Sequence, residues 1–276
     1  VSAAYSWVPK ASCDAGCVTA GAADTGHRAL VALRVSVRAT FAVLLLMAAP
    51  LLAVPTPGRS RVQRRYCRLM LRCLGVRITV SGGPIRNLQG VLVVSRHVSW
   101  VDIFTIGSVM PGRFVAKSEL IEWPGLGLLA RLMKVIPIER ANLRRLPHVV
   151  DTVAERLTAG QTVVAFPEGT TYCGLAYGRF RPAMFQAAVD AGRPVQPLRL
   201  TYQHRDGRPS TVAAYVGEDT LLASIRRLIT AKRTVARVHV ESLQLPGTDR
   251  RDLATRCEIA VRGQTRQPSP GHMLVA

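Results

Sequence analysis

After Gly82-Gly83-Pro84 the chain settles into an alternation of short, almost wholly apolar runs with longer stretches of helical period, and this alternation restricts the fold more than any other feature. Strands are predicted over Val91–Ser95, Arg113–Ala116, Lys134–Ile138, Thr162–Phe166, Val195–Thr201, Val212–Val216 and Ala236–Val240. Helices are predicted over Asp102–Val109, Ser118–Leu132, Leu143–Ala159, Ala183–Ala191, Thr220–Thr230 and Asp249–Val261. Strands that are apolar on both faces must be covered on both, and helices between consecutive strands supply the cover. The expected fold is α/β: a single mixed, mostly parallel sheet flanked by helices, over residues 81–262.

At 276 residues the chain accommodates one such domain and an appendage. Residues 1–28, rich in Ala, Ser, Gly and Thr without period, read as a disordered leader, and residues 263–276 as a flexible tail. Ala39–Val54 is an uncharged apolar segment behind Arg34 and Arg38, and with the residues before it approaches the roughly 20 needed to cross a bilayer. Pro50 interrupts it, so a full span, a re-entrant helix and insertion into one leaflet all remain open. A cleaved signal peptide is the competing reading. Against it, Arg59, Arg61, Arg64, Arg65, Arg68 and Arg72 crowd the next segment, a density that marks the cytoplasmic side. There Val62, Tyr66, Leu69, Met70, Cys73 and Leu74 recur at helical spacing, giving an amphipathic basic helix that can lie on anionic lipid, pack its apolar face on the core, or both. Residues 29–80 are thus expected to form an N-terminal membrane-associating helical segment at the cytoplasmic face of the cell membrane.

The 37 Lys and Arg against 17 Asp and Glu leave a net charge of +20, which favours nucleic acid, an anionic membrane surface or phosphorylated substrates as partners. Aromatics make up only 5% and no zinc-finger, RNP-type or helix-turn-helix pattern is present, which argues against nucleic acid. Cysteines at 13, 17, 67, 73, 173 and 257 form no C-x-x-C pair and have no nearby His, so they read as reduced thiols. No metal site is expected, although Cys13 and Cys17 could pair with each other or bind a metal with help from elsewhere in the chain. P-loop, G-x-S-x-G and G-x-G-x-x-G motifs are absent.

His97 and Asp102 stand directly beyond the first predicted strand. Residues five apart face different sides of a helix or strand, but a strand-to-helix turn can bring them together, with the carboxylate fixing the imidazole tautomer so that the other nitrogen accepts a proton. Other blocks end other strands: Pro167 and Gly169 specify a turn presenting Glu168, Arg140 follows Ile136–Glu139, and Val195–Leu198 can form a wall. Singly, each has a plainer reading as a capped helix start, a surface turn or an exposed Arg. Together they fall where open α/β sheets bind ligands.

The blocks resemble the glycerolipid acyltransferase family, in particular the bacterial-type 1-acylglycerol-3-phosphate acyltransferases. The match runs from about Val91 to Thr201 and comprises H-x-x-x-x-D at His97–Asp102, Phe114–Leu120 leading to Ile136–Arg140, F-P-E-G-T at Phe166–Thr170, Gly178–Arg181, and V-x-P at Val195–Pro197. The resemblance implies phospholipid biosynthesis: acyl transfer to the hydroxyl of lysophosphatidate or a related lysophospholipid, with acyl-CoA or acyl carrier protein as co-substrate and no cofactor. It implies catalysis by His97 as general base supported by Asp102, an acceptor-binding turn at Glu168, Gly169 and Thr170, and phosphate contacts from Lys117 and Arg140. Two positions depart from the pattern. Thr171 stands where many members have Arg or Ser, which leaves Arg181 or Arg179 to compensate and favours, as the alternative acceptor, a non-phosphorylated lyso-lipid such as lyso-ornithine lipid. Arg96 precedes His97 where Asn is frequent, either lowering the His pKa or contacting the donor's phosphates. A non-catalytic basic membrane-binding protein is the remaining alternative.

Overall fold

A computed structural model describes residues 9, 11–18, 28–53, 58–83, 88–121, 126–139 and 142–263. Seven strands form one sheet: β1 (Val76–Gly82), β2 (Leu92–Ser95), β3 (Arg113–Lys117), β4 (Ile136–Ile138), β5 (Val163–Ala165), β6 (Val195–Gln203) and β7 (Thr234–Val240). Their order is β1-β7-β6-β2-β5-β3-β4, and every neighbouring pair is parallel except β6 with β7. The helices are α1 (Arg28–Ala48), α2 (Arg59–Cys73), α3 (Asp102–Gly107), α4 (Leu126–Leu132), α5 (Leu146–Thr158), α6 (Ala183–Asp190), α7 (Leu221–Thr230) and α8 (Arg250–Arg262).

Side chains alternate across a strand, so a strand in the middle of the sheet feeds two cores. Val91 and Val93 pack with Met70 and Leu71 of α2, Ile106 of α3 and Leu228 of α7, whereas Leu92 and Val94 pack with Val153 of α5, Phe185 of α6 and Leu253 of α8. All four residues of β2 are buried, which is why its sequence reads as one apolar run. Chain direction matters for the site. Because β7 is antiparallel to β6, the amino ends of β7 and β1 lie at the same sheet edge as the carboxyl ends of β2, β5, β3 and β6.

The mixed, mostly parallel α/β sheet is as expected, with differences in detail. Val212–Val216 is not a strand. Val212, Ala213, Ala214 and Val216 are buried, but their backbone bonds go elsewhere: the Tyr215 N–H donates to the Val98 carbonyl at 3.0 Å, and the Arg227 guanidinium donates to the carbonyls of Val212 at 3.0 Å and Ala214 at 2.5 Å. The sheet instead gains β1, so the boundary set at residue 81 falls inside a strand paired along its length with β7. Ser118–Leu132 contains a 3-10 turn, Ser118–Ile121, and α4, with residues 122–125 outside the described residues. Within the leader, residues 11–18 pack on the domain through Ala11, Cys13, Cys17 and Val18, apolar and thiol side chains that a solvated leader would expose. The rest of the leader, apart from Pro9 and Arg28, and the tail beyond Gly263 lie outside the described residues.

Candidate active site

β2 and β5 are parallel neighbours, so the segments leaving their carboxyl ends, residues 96–101 and 166–171, meet above the sheet. The first turns into α3, whose opening residue is Asp102. His97 Nδ1 and Asp102 Oδ2 are 2.9 Å apart; the carboxylate is fully buried, whereas the imidazole keeps 16% exposure. Asp102 Oδ2 also accepts the N–H groups of Val98 at 2.7 Å and Ser99 at 2.9 Å, and Oδ1 accepts the Tyr202 hydroxyl at 2.7 Å. Four donors on one carboxylate compensate its loss of water and fix its orientation. A carboxylate has no proton to give, so Nδ1 carries the imidazole hydrogen and Nε2 the lone pair. The ring stacks on Phe166, with centroids 4.0 Å apart and planes 13° apart, which fixes its second rotational freedom.

Glu168 links both segments to a third. Its Oε2 accepts the His97 backbone N–H at 2.7 Å and its Oε1 that of Gly178 at 3.0 Å. Burial pushes the Glu168 carboxyl up to about 7, against the pull of those two N–H groups and of Arg96, while Asp102 adds to the rise. The turn rests on Gly169 at φ +74°, backbone that other residues adopt only with strain. Facing it, the Tyr172 N–H donates to the His97 carbonyl at 2.8 Å, closing a two-sided grip on the histidine backbone.

His97, Asp102, Glu168, Gly169 and Thr170 are therefore drawn into one site. Arg181 borders the turn: its backbone N–H donates to the Pro167 carbonyl at 3.0 Å, and its Cδ would lie 3.7 Å from a Cβ placed on Gly169. Lys117 is exposed at the carboxyl end of β3, on the same edge but beyond β5. Arg140 lies outside the described residues. Arg96 turns its guanidinium to the carbonyls of Gly174 at 2.8 Å and Ala176 at 3.0 Å and sits 5.5 Å from the Tyr177 ring centre, so it braces the loop after the Glu168 turn. Thr171 spends its hydroxyl on the Tyr215 carbonyl at 2.5 Å.

Two participants carried no assigned role in the sequence. Gly178 supplies only a backbone N–H, which leaves no trace in side-chain chemistry. Tyr202 lies on the part of β6 that overhangs β2 at the carboxyl edge, and burial, together with the Asp102 charge, pushes its hydroxyl well above the ordinary value, keeping it a donor. A phenol at the end of a strand bound for that edge was the available signal.

Residues 77–201 match the family model described as Acyltransferase. Over 211 residues the chain is 36% identical to the lyso-ornithine lipid O-acyltransferase of Pseudomonas aeruginosa, a match covering 75% of this chain and 79% of that protein. The chain belongs to the acyltransferase family. Another relative of this acyltransferase is the 1-acyl-sn-glycerol-3-phosphate acyltransferase of Neisseria meningitidis, 35% identical over 183 residues, covering 66% of this chain and 71% of that one. Its fold is also that of the 1-acyl-sn-glycerophosphate acyltransferase PlsC from Thermotoga maritima, with a TM-score of 0.61 over 85% of this chain and 93% of that chain at 20% identity. For an acyltransferase, a histidine with one nitrogen held by a buried carboxylate and the other free of it is a base suited to activating a hydroxyl acceptor.

Proposed function

We propose that this acyltransferase carries a fatty acyl group from a thioester, acyl-CoA or acyl carrier protein, to the free hydroxyl of lysophosphatidate or a related lysophospholipid. The observation that carries this reading is the 2.9 Å His97–Asp102 contact with Nε2 left as the proton acceptor. His97 Nε2 takes the acceptor's hydroxyl proton as the oxygen attacks the thioester carbonyl. The C–O bond forms, the C–S bond breaks, and the imidazolium returns the proton to the departing thiolate. Asp102 stabilises the imidazolium between these events. No acyl-enzyme is required. Glu168, Gly169 and Thr170 form the acceptor's turn, with Arg181 and Lys117 as cations for its phosphate.

The membrane supplies such an acceptor, and the architecture suits docking there. Arg28–Leu52 is long and apolar enough to cross a bilayer by length and composition, and Leu30, Leu33, Phe41, Leu44 and Met47 expose their side chains along it. Arg34 and Arg38 hold this helix to the domain at the end of α7, Arg34 donating to the Thr230 carbonyl at 3.0 Å and Arg38 to those of Ile229 at 2.7 Å and Ala231 at 2.8 Å. Beside them a cavity of about 540 Å³ is lined by Arg38, Arg68, Arg72, Arg77, Lys232 and Arg233, with no carboxylate among the described residues of its lining. It opens where β1 and β7 begin, on the edge that carries His97, and its charge suits anionic headgroups at the cytoplasmic face.

A second acceptor is favoured by Thr171, whose hydroxyl is committed to the Tyr215 carbonyl and brings no charge to a phosphate. That acceptor is a non-phosphorylated lyso-lipid such as lyso-ornithine lipid. Transfer from labelled acyl-CoA to a panel of lysolipids in vesicles separates the two. Turnover with lysophosphatidate is the expected result, turnover confined to lyso-ornithine lipid selects the second reading, and no turnover with any lysolipid refutes both.

A further inference from the structure

Cys13 and Cys17 lack a metal-binding companion in the sequence around them, and the fold brings them one. A 3-10 turn, Ala15–Cys17, capped by the Asp14 side chain accepting the Gly16 N–H at 2.9 Å, folds Cys17 back beside Cys13. Cys173 arrives from the loop after the Glu168 turn, and the three sulfurs lie within 4.8 Å of one another. Thiolates bound at about 2.3 Å to one tetrahedral ion stand roughly 3.8 Å apart, so small shifts convert this cluster into a coordination sphere.

The surroundings of the sulfurs go beyond proximity. Backbone N–H groups of Ala176 and Leu175 bond to the Cys173 sulfur, and the Cys173 N–H donates to Cys13 Sγ at 3.4 Å. Donors directed at a sulfur favour the thiolate, the form that binds a metal. Cys13 and Cys173 are buried and Cys17 is half-buried. Among the described residues no carboxylate or imidazole joins the group, a donor set that selects soft cations over calcium or magnesium.

We propose that Cys13, Cys17 and Cys173 form a thiolate site for a soft cation of the zinc class, which staples residues 11–18 to the catalytic loop. Binding makes three sulfur–metal bonds and sends the three thiol protons to solvent, without change of oxidation state. The staple sits close to the chemistry. Tyr172, directly before Cys173, donates its N–H to the His97 carbonyl, and Pro9 packs so closely on Gly169 that a Cβ there would lie 2.7 Å from Pro9 Cγ. Occupancy of the site therefore fixes both the leader and the far side of the histidine's turn.

Cobalt(II) titration of the reduced, metal-free full-length chain reads this site directly, because cobalt held by thiolates gives a sulfur-to-metal charge-transfer band. The expected result is saturation at a single cobalt per chain and displacement by zinc. Cys17→Ser, with unchanged far-ultraviolet circular dichroism, should bind at least about tenfold more weakly, while Cys73→Ser on α2 binds as wild type. The proposal is overturned if the fully reduced wild type shows no such band, or if Cys17→Ser leaves it intact. A Cys13–Cys173 disulfide as the state isolated from cells, seen by peptide mapping, overturns it equally.

Discussion

Asp102→Asn is expected to keep the fold and lower acyl transfer by a factor on the order of 10³. An amide can hold the same place: its oxygen accepts from His97 Nδ1, Val98 and Ser99, and its NH₂ turns to Tyr202, whose hydroxyl oxygen can accept. The tautomer of His97 therefore survives. What vanishes is the negative charge beside the imidazolium, worth about 4 kcal/mol at roughly 4 Å and an effective dielectric of about 20, which corresponds to that rate factor. Near wild-type unfolding in denaturant together with the fall in kcat identifies charge as the missing element. Unchanged kcat would show that Asp102 only places the histidine.

Glu168→Gln separates stability from activity in the opposite sense. The folded carboxyl at about 7 lies above its ordinary 4.5, so the folded chain binds the proton more tightly than the unfolded chain does. The contribution is fully present below about pH 4.5 and is lost as pH rises through 7, amounting to about 3 kcal/mol. Wild type should lose stability across that window relative to Glu168→Gln, as read by denaturant midpoints at a series of pH values. Activity should nevertheless fall in the variant. A glutamine has one oxygen for two N–H donors, so either the His97 or the Gly178 N–H faces an NH₂ group. An unpaired buried donor costs about 1–3 kcal/mol, and passed to the geometry of His97 this is a rate loss of about 5- to 150-fold. A carboxylate that destabilises the fold at neutral pH and holds the catalytic turn is a stability cost borne for function.

The alternation of apolar runs and helical stretches made the central strands legible because β2, β5 and β6 are covered on both faces and their sequences show it. β1 was hidden for the opposite reason. As an edge strand, Val76–Gly82 is only partly buried, and it follows α2 so closely that its Val-Arg-Ile-Thr-Val alternation merged with the basic helical segment. Val212–Val216 shows that an apolar run reports burial and not pairing, since side-chain donors can replace a neighbouring strand. Within the site, His97, Asp102 and Glu168 were legible because short turns at the ends of adjacent strands must converge. Tyr202 and Gly178 were not, because their contributions come from strand overhang and from backbone. Arg96 reads in the sequence as a cation beside the base, and in the fold its Nη2 donates to the Gly174 and Ala176 carbonyls, partners that only the folded loop creates.

The central claim, that His97 removes the acceptor's proton, is tested most directly by His97→Ala in single-turnover transfer from labelled acyl-CoA to lysolipid vesicles. With circular dichroism and denaturant midpoint close to wild type, the account predicts a rate lower by about 10²–10⁴. Transfer at the wild-type rate by folded His97→Ala would contradict it.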